Sequence, residues 1–574
     1  MRINTTIAVL LPLILSSTSG SIFRHPKITI PGVGRLKGSY LKSDFTKRSI
    51  DAYYGIPYGK SPEGERRFAP PQPADPLNQG DENYDATLTH YTFHPSKICA
   101  QSSSTKKGVL GSEDCLNLSV FVPSKKDRTT AGPLPVLFYI HGGAFYFGTY
   151  TGQGPKMLLE EDIILVEAHY RLGPLGFMCL PEDGIYGNMG LQDQILALKW
   201  VQQNIAAFGG DPNQVTIFGE SAGSASVTLL MLSPQAEGLF HQAIGDSGSA
   251  ISGWAVDNFP EASALKYAEF TKCPLTPREA MVSCLKFERT TQELVNAHEQ
   301  FRNYSLARGS LGFGASTPCV QPADSDQAVL TSHPLTLLKQ GKIHNSVPAI
   351  FGTLRDEGKM FLGMFVRDFL KPLGLTHNSV FLTQGLVPAV LQALNVVIDY
   401  NVVSEVVSSY FRPTELGNLD RMIPGLISLF STYFIKESTY TFALNNAKLS
   451  PTYFYSFSYN GPNTLYYLFA DDPTGNDVEM PDAVSHADEL IYLFDLPLIK
   501  LNSNDTEVAK KMVKMFAEFV QHGDFGYLGT ESFSVPSLDP LDPIGNPFLE
   551  MNLHSSVQDN YPSTYSLRVQ SDES

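Results

Sequence analysis

The sequence predicts an α/β protein: a mainly parallel sheet with helices on both faces. Three observations carry that prediction. Short runs rich in β-branched and aromatic residues recur along the 574-residue chain. Stretches with helical spacing of apolar residues lie between them. The runs are near-continuously apolar rather than alternating, and strands of that kind need cover on both sides.

In chain order, the first segment is a leader. Arg2 supplies a positive charge, Ile7 to Leu15 (IAVLLPLIL) a short apolar stretch containing Pro12, and Thr18-Ser19-Gly20 a small-residue cleavage site. That stretch is too short for about 30 Å of hydrocarbon, so residues 1–20 read as a secretory signal, not an anchor. Leu116 to Val122 is strand-like, and Val136 to Ile140 (VLFYI) and Ile163 to His169 (IILVEAH) follow as strands. Leu191 to Phe208 sets Ile195, Leu198, Val201 and Ile205 at helical spacing. Gln214 to Phe218 (QVTIF) is a strand after the turn Gly210-Asp211-Pro212-Asn213, and Ser224 to Leu232 is a helix. Val347 to Gly352 and Thr452 to Tyr459 complete the strand candidates. Residues 260 to 450 are richer in helical periodicity and read as a cap or a set of helical insertions. No repeat or Gly/Ser linker divides the chain. Residues 21–550 are therefore expected to form a single domain, with 551–574 a polar C-terminal tail. No later stretch reaches about 18 consecutive apolar residues, so no membrane span is expected.

Composition narrows the function. Hydrophobic residues at 43% and charged residues at 17% describe a globular protein, not a disordered one. A net charge of −16 disfavours nucleic acid and anionic membrane surfaces as partners. Cys99 and Cys115 flank a Ser/Lys/Gly-rich loop, and Cys273 and Cys284 a short Pro-bearing segment. Two local disulfides suit an oxidising compartment and a secreted, extracellular protein. Cys179 and Cys319 are left, as a third pair or as separate buried thiols. No Cys or His spacing matches a zinc site, so no metal is expected. Three sequons follow the leader. Asn303 and Asn504 lie in loop-like polar stretches and are glycosylation candidates, whereas Asn117 lies in a strand-like run and is read as unmodified.

Gly219-Glu220-Ser221-Ala222-Gly223 carries the chemistry. It follows a strand and opens a helix, the setting in which G-x-S-x-G presents a nucleophile. Small neighbours let the chain turn tightly and lift the hydroxyl above the sheet, where a helix N-terminus favours developing negative charge. His141-Gly142-Gly143-Ala144-Phe145 follows the strand VLFYI. Its backbone N–H groups, with that of Ala222, suit an oxyanion hole. A serine nucleophile needs a base and the base an acid. Asp356 and Glu357 follow a strand and are both eligible as the acid. His377, His486, His522 and His554 lie beyond them, and His486 occupies a small polar loop, Ala483 to Leu490. The residues alone leave Asp356 or Glu357, and His486 or His522, open.

The motifs resemble the type-B carboxylesterase and cholinesterase family over nearly the whole mature chain. Tyr54-Gly55-Ile56-Pro57-Tyr58 with Gly64-Glu65-Arg66-Arg67-Phe68 is similar to its opening. Ser112-Glu113-Asp114-Cys115-Leu116-Asn117-Leu118 resembles its second signature, and Asn204 to Gly223 its nucleophile block. Tyr170-Arg171-Leu172-Gly173-Pro174-Leu175-Gly176-Phe177 is similar as well. The resemblance implies an α/β-hydrolase fold with helical insertions and carboxylic-ester hydrolysis of small to medium hydrophobic esters, without a cofactor. It implies Ser221 as nucleophile, Glu357 as acid and His486 as base, with Gly143, Ala144 and Ala222 at the oxyanion hole. It also implies the pairs Cys99–Cys115 and Cys273–Cys284, and an aromatic role for Trp254 near the acyl pocket. The HGGAF segment and the His486 block resemble arthropod secreted esterases most. Two departures from family patterns limit the substrate. Residues 100 to 114 hold no aromatic residue, so a quaternary ammonium lacks its cation–π partner there. Glu220 stands where juvenile-hormone esterases usually carry Gln. The rival functions are a non-catalytic adhesion or ligand-binding homologue and an interfacial lipase. The sequence is silent on oligomeric state.

Overall fold

The computed structural model describes residues 25–77, 83–87, 98–102, 108–310, 314–323, 325, 327–396, 398–469, 480–497, 499–525 and 535–565. The leader at 1–20 lies outside them.

An eleven-stranded sheet runs through the molecule. In chain order its strands are β1 (Ser39–Lys42), β2 (Ser49–Pro57), β3 (Asn117–Pro123), β4 (Leu134–Ile140), β5 (Ile164–Ala168), β6 (Gly210–Glu220), β7 (Gln242–Asp246), β8 (Ala349–Leu354), β9 (Thr452–Phe457), β10 (Pro547–Met551) and β11 (Ser556–Asp559). Their spatial order is β11-β10-β9-β8-β7-β6-β4-β5-β3-β2-β1. From β10 to β5 every neighbour is parallel, and both flanks are antiparallel. The central sheet is thus mainly parallel, as the sequence predicts, and suits the α/β-hydrolase fold that the resemblance implies. The predicted strands fall on β3 to β6, β8 and β9 with ends shifted by a few residues.

Side-chain alternation on one strand explains the continuous apolar runs. Val136, Phe138 and Ile140 of β4 join a core with Leu198 and Val201 of helix α1 (Met189–Asn204) and Leu229 of helix α2 (Ala222–Leu232). Leu137 and Tyr139 of the same strand join the opposite core, with Met512, Phe516 and Phe519 from a C-terminal helix, Ser503–His522. Both faces of the strand are dry, so polar alternation would leave unpaired groups in the interior.

The family-like motifs supply buried ion pairs that pin loops to this frame. Arg171 grips Asp193 of α1 with Nε and Nη2 at 2.8 Å each. Arg67 grips Glu113 through Nε at 2.9 Å and donates to the carbonyls of Lys286 and Arg289. Breaking one partner of such a pair strands a buried charge and costs about 3–5 kcal/mol.

Three expectations need correction or completion. The tail does not begin at 551: Met551 ends β10, β11 pairs with it, and Tyr561 is fully buried. That sequence read as a tail because an edge strand can be polar on its outer face. Asn303 and Asn504 are exposed, but on helices (Thr291–Leu306 and Ser503–His522) rather than in loops. Cys179 and Cys319 are disulfide-bonded across 140 residues, beside Cys99–Cys115 and Cys273–Cys284. Asn117 is buried in β3, its Nδ2 donating to the Cys115 carbonyl at 2.9 Å, which suits the unmodified reading. Among the described residues no helix is long and apolar enough to cross a membrane.

Candidate active site

Ser221 is the single residue between the end of β6 and the start of α2. It holds φ 58° and ψ −121°, a conformation that costs an L-residue about 1–3 kcal/mol. Its N–H donates to the Asp246 carbonyl at 2.8 Å, which fixes the turn. The flanking glycines are required by space. A Cβ on Gly219 would lie 2.2 Å from the Gly223 carbonyl carbon and oxygen, and one on Gly223 would lie 2.1 Å from the Ile140 carbonyl oxygen. The turn therefore packs backbone on backbone against the end of β4.

The loop after β4 runs beside this turn. A Cβ on Gly142 would come within 3.1 Å of the Ser221 Cβ. Gly143, Ala144 and Phe145 all take positive φ, at 107°, 50° and 62°. This winding frees the N–H groups of Gly143 and Ala144: among the described residues neither donates to a protein acceptor. The preceding His141 is buried and stacks on Tyr170, and burial pushes it down to about 4. It is a neutral strut at ordinary pH.

Glu357 follows β8 and caps a helix, α3 (Gly358–Phe365). It is fully buried. Its Oε1 accepts from Ser247 Oγ at 2.6 Å and from the Leu354 N–H at 2.8 Å, and its Oε2 lies 2.6 Å from His486 Nδ1. Asp356 turns away, to Arg355 Nε at 2.9 Å and the Val484 N–H at 3.0 Å. His377, His522 and His554 are exposed. Of the carboxylates and histidines left open by the sequence, the structure brings together Glu357 and His486.

The second imidazole nitrogen faces a residue the sequence reading had not placed in the site. Glu220 Oε1 lies 3.1 Å from His486 Nε2, without the alignment of a hydrogen bond. Burial alone would depress His486. The charges of Glu220 and Glu357, and the bond to Glu357, outweigh it and hold His486 above its ordinary value. Burial pushes Glu220 itself up to about 7, with His486 opposing. Deeper still, Asp246 at the end of β7 and Glu489 are fully buried. Burial first, then neighbouring carboxylates, push both well above the carboxylate range. Glu220 was visible in the sequence only as the residue before the serine. The signal that marks it is its place as the last residue of a strand whose next side chain is the nucleophile.

Aromatic rings join the oxyanion loop to the histidine. Phe145 contacts Trp254 (6.3 Å between centroids), Trp254 stacks on Phe434 (5.7 Å), Phe434 meets Phe361 (4.0 Å) and Phe361 meets His486 (4.9 Å). Such a wall suits an apolar ligand surface. Among the described residues no group of three or more His, Cys, Asp or Glu side chains is arranged to hold a metal ion.

Comparison with known proteins agrees with this architecture. A family model described as "Carboxylesterase family" matches residues 24–566. The chain is similar to "Venom carboxylesterase-6" of Apis mellifera, 31% identical over 522 residues, covering 89% of this chain and 87% of that one. It is 32% identical over 497 residues to "Juvenile hormone esterase" of Tribolium castaneum, covering 83% and 80%. It is 30% identical over 519 residues to "Carboxylesterase 1C" of Mus musculus, covering 87% and 85%.

Proposed function

The chain belongs to the carboxylesterase family and is a carboxylic ester hydrolase, and we propose that it works through an acyl-enzyme formed on Ser221. The observation that carries the mechanism is the 2.6 Å contact between His486 Nδ1 and Glu357 Oε2, both buried, beside a strained serine turn. Nδ1–H donates to Glu357 Oε2 and keeps its proton, which leaves Nε2 as the basic nitrogen.

His486 Nε2 takes the Ser221 proton as Oγ bonds to the ester carbonyl carbon. The carbonyl oxygen becomes an oxyanion and accepts from the N–H groups of Gly143, Ala144 and Ala222. Losing one such donor typically lowers the rate by roughly 10²–10³. His486 then gives its proton to the departing alkoxide oxygen. Water enters, loses a proton to Nε2 and attacks the acyl carbon; Ser221 leaves with the proton returned. Glu220, beside Nε2, favours the imidazolium formed in both halves. The Ser221 hydroxyl makes no hydrogen bond to protein among the described residues. Catalytic bonds of this kind often tighten only with substrate bound.

The aromatic wall from Phe145 to His486 supports small to medium hydrophobic esters as substrates. Three disulfides support secretion into an oxidising compartment. The test is a panel of 4-nitrophenyl esters of graded acyl length, run on the intact protein and on Ser221→Ala, with a fluorophosphonate label. Turnover and labelling of the intact protein, both lost in the variant, are expected. Labelling that persists in Ser221→Ala moves the nucleophile elsewhere.

A further inference from the structure

We propose that Arg302 makes the active site selective for esters that carry a second, anionic group, such as half-esters of dicarboxylic acids. The proposal rests on the ester-hydrolase reading above and adds a substrate class to it.

The oxyanion loop fixes the position. Tyr146 follows Ala144 by two residues, so their Cα atoms are no more than about 7–8 Å apart. The Tyr146 N–H donates to the Gly143 carbonyl at 3.1 Å, and its ring is buried. The guanidinium carbon of Arg302 sits 4.4 Å above the centre of that ring. Arg302 belongs to helix Thr291–Leu306, and His298, one turn earlier on it, packs on the same ring at 5.3 Å. A cation therefore stands one aromatic ring from the expected carbonyl site.

Its charge is uncommitted. Arg302 makes no ion pair and no hydrogen bond among the described residues, and its Nε is buried without an acceptor. Among the described residues the carboxylate that acts on Tyr146, Asp368, is held by Arg367: Nε to Oδ1 at 2.6 Å and Nη2 to Oδ2 at 2.7 Å. Burial pushes His298 down to about 3, so it is neutral and leaves the anion to Arg302. Among the described residues half-buried Arg66, Arg128 and Arg289 also lack an ion pair, but each donates Nε to a backbone carbonyl, whereas the Arg302 Nε has no acceptor. A guanidinium is a rigid fork of donors matched to a carboxylate, and it keeps its charge at any ordinary pH. Stacking on Tyr146 orients the fork and reduces the ordering needed on binding.

The experiment compares matched esters on wild type, Arg302→Met and Arg302→Lys. One pair varies the acyl side: mono(4-nitrophenyl) glutarate against 4-nitrophenyl pentanoate. The other varies the alcohol side: 4-acetoxybenzoate against 4-acetoxytoluene. The readout is the ratio of kcat/KM, anionic over neutral. In at least one pair, Arg302→Met is expected to lower the ratio about 10- to 100-fold, the value of one charge-assisted hydrogen bond. Turnover of the neutral esters stays within a few-fold of wild type, and Arg302→Lys keeps part of the preference. High salt should shrink the wild-type ratio, a readout that needs no variant. A ratio unchanged in Arg302→Met and insensitive to salt in both pairs overturns the proposal, and leaves Arg302 as packing for Tyr146. Intact protein that hydrolyses neither neutral ester defeats the ester-hydrolase reading, and this proposal with it.

Discussion

Glu357→Gln tests the division of labour between acid and base. The substitution preserves shape but replaces one acceptor oxygen with an NH₂ group. Two donors converge on Oε1, from Leu354 at 2.8 Å and Ser247 at 2.6 Å, while among the described residues His486 Nδ1 alone addresses Oε2. The amide oxygen therefore takes the Oε1 place and the NH₂ faces His486. Nδ1 must then accept, so the ring proton moves to Nε2, and Nε2 can no longer take the serine proton. A wrong tautomer in such a site lowers kcat by about 10⁴, or about 5.4 kcal/mol of activation free energy. If Glu357 merely positioned the ring through one charged hydrogen bond, about 1.5–3 kcal/mol would be lost, roughly 10- to 100-fold. The assay is steady-state hydrolysis of 4-nitrophenyl butyrate, with the thermal unfolding midpoint as a check on folding. A folded variant that loses less than about 100-fold refutes the tautomer argument.

Further outcomes follow from the same geometry. The acid limb of kcat/KM should lie above the ordinary histidine value, because His486 must be neutral to act and its neighbours hold it up; Glu220→Gln should move that limb to lower pH, and a limb that stays put contradicts the assigned cause. Gly223→Ala sets a methyl 2.1 Å from the Ile140 carbonyl oxygen, so a cost of about 1–3 kcal/mol or more is expected, seen as a lower unfolding midpoint together with lost activity. Cys99→Ser opens a disulfide with a separation of 16 residues, which should cost about 3 kcal/mol by loop entropy; denaturant titration with and without reductant measures it. Gly143→Ala requires positive φ at 107° and a Cβ 2.1 Å from the Phe147 carbonyl oxygen. It should depress kcat on every ester tested, whereas a selective effect on one acyl length would point to a pocket instead.

Local patterns made the sheet and the nucleophile legible. VLFYI and QVTIF are short, rich in β-branched and aromatic residues and bounded by turn signals, and G-x-S-x-G gained its meaning from lying between a strand and a helix. The partners of Ser221 were less so. Glu357 and His486 lie 129 residues apart, and no periodicity links them; only the family resemblance chose Glu357 over Asp356, and the structure brings it to His486. The third disulfide was left open because its cysteines are 140 residues apart, a distance at which spacing carries no information. Glu220 stood out only as a departure from a family pattern and Arg302 not at all, since the neighbours that give them a role come from other elements. The C-terminal strand was hidden for the same reason: its partner, not its own composition, makes it a strand.

The buried carboxyls Asp246 and Glu489 give folding a proton stoichiometry. Their folded values stand well above those of an open chain, so between the open-chain and folded values the native protein holds protons that the unfolded chain releases. Unfolded chain binds fewer protons, and stability therefore falls as pH climbs from the open-chain value through the folded one. Heating the protein in weak buffer should acidify the solution as it melts, and the melting enthalpy should vary with the ionisation heat of the buffer. These two carboxyls favour the folded state on the acid side, where a catalytic histidine held above its usual value is losing activity, while the buried neutral His141 and His298 oppose them there. Durability and turnover are tuned to different pH by the same nest of acids.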